Sequence, residues 1–248
     1  MEPRILCLGD SITQQGWNVD VNGWVAQLSN AYLRRYDVLN RGFSGYNTRW
    51  TRTLLPRMLP ASLKAMRLIT VFLGANDAQM APYKQHVPLP EFVDNMRAIV
   101  DAFKSPDSPH YAPDALVVLI APPPVGEKMW SEDRAEKNTP FDRGNSTTKE
   151  YAQAVADLAV QLDLPCVDMW TEIERKVELL RDMPYDGYEE FLRDGVHLNA
   201  KGNDLLAQLL LAAIEERAPQ LKPENIPYVL PDHSDIQEGT IEEMQQYL

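Results

Sequence analysis

Residues 68–77 read Leu-Ile-Thr-Val-Phe-Leu-Gly-Ala-Asn-Asp. The run from Leu68 to Gly74 carries no charge, is of strand length and does not alternate between apolar and polar. An alternating strand has one wet face. A continuous run is covered on both faces, as in a parallel sheet sandwiched between helices. Arg4–Gly9, Ala115–Ala121 and Cys166–Trp170 are similar short runs, and Tyr36–Gly42 reads as a further strand. Apolar residues at helical spacing predict helices over Trp24–Tyr36, Trp50–Met58, Glu91–Phe103, Thr147–Leu162 and Asn199–Arg217. Strands alternating with helices five times predict an α/β fold: a three-layer α/β/α sandwich around a five-stranded parallel sheet, joined by right-handed crossovers.

In such sheets ligands bind beyond the carboxyl ends of the strands. Residues just after Leu8, Gly42, Leu73 and Ala121 should therefore converge. The blocks found there are Gly9-Asp10-Ser11, the Asn40–Asn47 stretch, and Gly74-Ala75-Asn76-Asp77; Asp194-Gly195-Val196-His197-Leu198-Asn199 precedes the last helix. A serine hydroxyl is a weak nucleophile without an adjacent base. His197 has the right intrinsic pKa to be that base for Ser11. Asp194, three residues earlier, can hold Nδ1–H if the two share a turn. Acyl transfer also needs donors aimed at a developing oxyanion, and the candidates are the Ser11 amide, the Gly45 amide and the Asn76 side chain. Met80, Phe141 and Val196 lie near these loops and are candidates to touch the acyl or alcohol group. Asp10 and Asp77 read as capping and loop-bonding residues. His86, His110 and His233 read as surface residues, and Trp24 as core.

These four blocks resemble the SGNH hydrolases, the GDSL-type esterases and lipases. In that family a Gly-Asp-Ser block carries the nucleophile, and a glycine, the asparagine of Gly-x-Asn-Asp and an Asp-x-x-His complete the site. Ser11, Gly45, Asn76, Asp194 and His197 match these in order, with Ile12 where the family usually has leucine. The resemblance spans residues 4 to about 217, and the wording around Gly45 and His197 is most similar to the isoamyl acetate-hydrolysing esterase branch. It implies a flavodoxin-like sheet of strand order 2-1-3-4-5 and no cofactor; the sequence carries no His-Glu-x-x-His zinc pattern, and no metal is expected. The resemblance also implies a small-molecule ester substrate, short-chain acyl esters first. That strand order would separate strands one and five, so Cys7 and Cys166 would lie too far apart for a disulfide.

The rest of the chain bounds the alternatives. Its 248 residues are 44% hydrophobic and 24% charged, as in a globular protein, with a net charge of −12. That charge argues against a nucleic-acid partner, which needs clustered Lys and Arg. No segment reaches the roughly 20 apolar residues of a membrane span, so no membrane insertion is expected. An apolar strand follows Met1 almost at once, which predicts no signal peptide. With two cysteines in apolar runs, the expectation is a reducing compartment, the cytoplasm. Pro122–Ser146 shows no periodicity and reads as a long loop on the substrate side, a lid candidate. Residues 1–217 are expected to form the catalytic domain. Residues 218–248 form an acidic, proline-rich extension, with six acidic residues and one basic from Pro219 onward. Ile226, Tyr228, Val229 and Leu230, with Ile241, Met244 and Leu248, suggest that it docks on its own body or on a second copy as a homodimer arm. Two other functions fit less well: a lysophospholipase or thioesterase for longer acyl chains, and a non-catalytic binding module on a hydrolase scaffold.

Overall fold

Five short strands follow the apolar runs closely: β1 (Arg4–Gly9), β2 (Asp37–Gly42), β3 (Met66–Phe72), β4 (Leu116–Ala121) and β5 (Cys166–Asp168). The structure is a computed structural model and describes residues 2–182, 186–237 and 239–245. The strands form one parallel sheet of order β2-β1-β3-β4-β5. This is the architecture expected from the sequence. Register brings Gly9 level with Gly42 on one side and Phe72 on the other, while Phe72 pairs with Ile120. The carboxyl ends of four strands therefore share one edge.

Successive side chains of a strand point to opposite faces, so the strands feed two cores. Leu6, Leu8, Ile69, Val71, Val117 and Leu119 face α3 (Thr48–Met58), α4 (Leu89–Lys104) and α6 (Asn145–Gln161). Ile5, Cys7, Leu68, Phe72, Val118 and Ile120 face α2 (Trp24–Ala31), α7 (Met169–Glu178) and α8 (Ala200–Arg217). Trp24 is fully buried in this second core. Cys7 is buried and Cys166 half-buried; both thiols are free, on strands separated by β3 and β4.

Three expectations need correction. The long loop over 122–146 contains a helix, α5 (Glu127–Glu136). Only Trp130 of that helix is buried, so its sequence carries no apolar stripe to read. The fifth strand stops at Asp168 rather than Trp170, because Asp168 caps a new helix, α7, accepting from Thr171 N–H at 3.0 Å and Thr171 Oγ1–H at 2.7 Å. The first long helix ends at Ala31, and Arg34 then takes a positive φ of 63° before β2 begins.

That turn receives the C-terminal extension. Tyr32 donates its hydroxyl to Leu221 O at 2.7 Å, and Arg35 Nε donates to Ile226 O at 2.9 Å. The Tyr228 ring lies beneath both the Arg34 and Arg35 guanidinium groups, at 4.5 and 4.3 Å, and Arg34 pairs with Asp232 at 2.8 Å. Leu221 and Ile226 join the α8-side core. The extension thus docks on its own body at least to Asp232. Farther on, Ile241 is exposed and Met244 half-buried in a short helix, α9 (Ile241–Gln245), and Leu248 lies outside the described residues. Among the described residues no helix is long and apolar enough to cross a membrane.

Candidate active site

Ser11 opens a four-residue helix, α1 (Ser11–Gln14), directly after β1. Asp10 caps that helix by accepting from Ile12 N–H at 2.9 Å, as its type and position suggested. Gly42, at the end of β2, admits this turn: a Cβ there would stand 2.0 Å from Gln14 N. α1 in turn ties down the end of β2 and the loop after it, with Asn40 Nδ2 donating to Thr13 O at 2.7 Å and Ser44 N donating to Gln14 Oε1 at 2.8 Å. Gly45 sits in that loop at φ +81°, a conformation that costs a side-chain-bearing residue energy.

Asp194 and His197 do share a turn. Asp194 Oδ1 accepts the main-chain N–H of Val196 at 3.0 Å and of His197 at 2.8 Å, while Oδ2 stands 2.6 Å from His197 Nδ1. Burial would push the Asp194 carboxyl up. The hydrogen bond and charge of His197, with the two N–H donors, outweigh burial and hold it well below the usual carboxylate range. An ionised carboxylate can only accept, so Nδ1 carries the proton and the Nε2 lone pair is left to face Ser11. Ser11 Oγ lies 2.9 Å from Nε2 and donates to it. The serine is 6% exposed. The relay can draw a proton from the hydroxyl as it attacks an electrophile.

Asn76, 5% exposed, follows β3 at the same edge. Its Nδ2 donates one proton to Tyr46 O at 2.8 Å, in the loop that carries Gly45. Its Oδ1 accepts from Arg143 Nη2 at 2.9 Å. Asp77 turns the other way: Oδ1 accepts from Thr48 N at 2.9 Å and from Thr48 Oγ1, bonding the β3 loop to α3. Burial raises Asp77 to about 7 and Asp10 to about 6. His86, expected at the surface, is half-buried and donates from Nδ1 to Gln79 O at 2.7 Å.

The substrate-contact candidates divide. Phe141 is exposed at 37%, and Met80 is half-buried with its N–H on Asp142 O at 2.8 Å. Val196 is buried against Val125 and Trp130. The residues that sequence reasoning missed are Gln79, Gln85, Asp142 and Arg143, which surround Asn76. One signal pointed there, since the carboxyl end of β4 was among those expected to converge. Among the described residues no group of three His, Cys, Asp or Glu side chains is placed to hold a metal ion.

A parallel α/β/α sandwich with an ordered Ser–His–Asp relay at the carboxyl edge of its sheet has the build of a hydrolase. The sequence pattern of the GDSL-like Lipase/Acylhydrolase family matches residues 7–205. The chain is 37% identical to an isoamyl acetate-hydrolyzing esterase 1 homolog of Bos taurus, over 96% of this chain and 89% of that one. It is 34% identical to the isoamyl acetate-hydrolyzing esterase of Saccharomyces cerevisiae, over 94% of each. A lipase/acylhydrolase from Enterococcus faecalis superposes with a TM-score of 0.60 at 23% identity, covering 87% of this chain and 96% of that one. The chain belongs to the GDSL-like lipase/acylhydrolase family and is a carboxylic ester hydrolase.

Proposed function

We propose that the protein hydrolyses short-chain carboxylic esters, acetate esters first, through an acyl-enzyme on Ser11. The unbroken relay from Ser11 Oγ through His197 to Asp194 carries this reading. His197 Nε2 takes the Ser11 proton as Oγ attacks the ester carbonyl, and the carbonyl oxygen becomes an oxyanion. The Ser11 and Gly45 amides and the second Nδ2 proton of Asn76 stabilise that charge. Collapse expels the alcohol, which leaves with the proton from His197. Water, deprotonated by His197, then attacks the acyl group, and Ser11 regains its proton as the acid departs. Asp194 stays ionised and orients the imidazole throughout.

The preference for short acyl groups is supported by the acetate-ester names of the relatives. Met80, Phe141 and Val196 are assigned to the acyl or alcohol wall. The setting is assigned to the cytoplasm, a reading compatible with the two free thiols. A p-nitrophenyl ester series from acetate to decanoate tests the substrate class. Highest kcat/KM at acetate or butyrate is expected, and a maximum at decanoate would replace this reading with a long-chain one. Fluorophosphonate labelling at Ser11 is expected, and a folded protein that takes no label would be a binding module.

A further inference from the structure

Arg143 is the least expected charge near the site. It precedes α6 and is 6% exposed, and the negative charges that favour its charged form, those of Asp142, Asp10 and Asp77, act without a direct ion pair among the described residues. A buried cation is costly unless its donors are used. Here Nε–H is buried without a partner, and the two terminal nitrogens make three hydrogen bonds to one target region. Nη1 donates to Ala75 O, and Nη2 donates to Asn76 Oδ1 at 2.9 Å and to Gln85 Oε1 at 3.0 Å. Gln85 Nε2 then donates to Gly45 O at 2.8 Å.

A carboxamide can flip, exchanging its oxygen and nitrogen. A guanidinium has donors and no acceptor, so it accepts only the oxygen end as its neighbour. One group therefore sorts two amides. Asn76 must turn Oδ1 to Arg143 and Nδ2 to Tyr46 and the Ser11 side. Gln85 must turn Oε1 to Arg143 and Nε2 to the Gly45 carbonyl. Donation to Oδ1 also polarises the Asn76 amide and strengthens its remaining N–H as a donor. The neighbours of Arg143 are held in turn. Trp130 Nε1 donates to Asp142 Oδ1 at 2.8 Å, Gln79 Nε2 donates to Asp142 Oδ2, and Gln85 N donates to Gln79 Oε1 at 2.9 Å.

We propose that Arg143 is the positioning residue of the oxyanion hole, fixing the Asn76 donor directly and the Gly45 turn through Gln85. The segment after β4 thus acts as a buttress beneath the site. This rests on the esterase reading above, and it assigns Arg143 no contact with substrate.

The test is a double-mutant cycle on p-nitrophenyl acetate, with Asn76→Ala, Arg143→Lys and the pair, each checked for folding by circular dichroism and thermal melting. A lysine keeps the charge but cannot serve three acceptors in a planar fork. Arg143→Lys should lower kcat about 10- to 100-fold with KM within about threefold, since the oxyanion forms after binding. In the Asn76→Ala background the same change should cost less than it does in the parent, about 3- to 10-fold, because only the Gly45 arm through Gln85 is left to lose. A kcat within about twofold of the parent, or losses that multiply fully in the pair, would overturn the proposal. Should Arg143→Lys not fold, Gln85→Ala reads the other arm, with an expected fall in kcat of about 3- to 10-fold at constant KM; no fall overturns it. Ser11→Ala separates the two levels. If it keeps full activity the esterase reading fails. If Ser11→Ala and Asn76→Ala lose activity while Arg143→Lys and Gln85→Ala do not, this inference alone fails.

Discussion

Asp194 and His197 are three residues apart and meet within one turn, whereas Asn76 and Arg143 are 67 residues apart and meet across two loops. The two halves of the site are built differently. On the relay side, a single carboxylate accepts two main-chain N–H groups and the imidazole, so local geometry alone aims His197 at Ser11. On the Asn76 and Gly45 side the backbone turns close locally, with Tyr46 N on Phe43 O at 3.0 Å, but the side-chain hydrogen bonds come from distant segments. Asn76 depends on Tyr46 and Arg143, and the Gly45 loop depends on Gln14 and Gln85. A reacting group can be prepared by one turn; an aligned set of donors needs several loops held at once.

The comparison can be broken most directly at Ser11. Ser11→Ala should lower kcat/KM by about 10⁴-fold or more, and Asp194→Asn by a similar factor, because the wrong imidazole tautomer then faces the hydroxyl. Steady-state hydrolysis of p-nitrophenyl acetate checks both, and near-parental rates would remove the relay from the chemistry. On the other side, Asn76→Ala should cost about 10²–10³ in kcat, with KM far less affected. A KM effect alone would make Asn76 a substrate-binding residue instead.

Acid and base should act in opposite directions on Asp194 and on the buried carboxyls Asp10 and Asp77. Asp194 is depressed in the fold, so the stability it contributes is present above the ordinary carboxylate value near 3.8 and is lost as pH falls below it. Asp10 and Asp77 are raised to about 6 and about 7, chiefly by burial. Their contribution is complete below 3.8 and is lost as pH rises through those values. Melting temperatures measured from pH 5 to 8 should therefore fall less steeply for Asp77→Asn than for the parent. An unchanged slope would show that Asp77 does not titrate in that range. The smallest effect should come from a site remote from both halves. Ile226, 7% exposed in the α8-side core, should cost about 2 kcal/mol of stability on change to alanine and leave kcat/KM within about twofold. A large loss of activity there would tie the C-terminal extension to catalysis.

The amino-acid sequence by itself determined the strands, their parallel arrangement and the members of the relay. Those features are written in contiguous residues: uncharged apolar runs, a serine directly after one of them, and an acid and a histidine one turn apart. The Asp168 cap of α7 was not read from the sequence, because the apolar Cys166–Trp170 run continued past it as a strand. Helix α5 was not legible, because a helix that buries one tryptophan has no stripe to reveal it. Only the tertiary structure decided which polar residues gather around Asn76 and the Gly45 loop. Gln79, Gln85, Asp142 and Arg143 follow no period, and each is an ordinary loop residue until the chain folds. They come together because burial removes water from their donors and acceptors, so that most of these groups pair within the protein, Arg143 Nε being an exception.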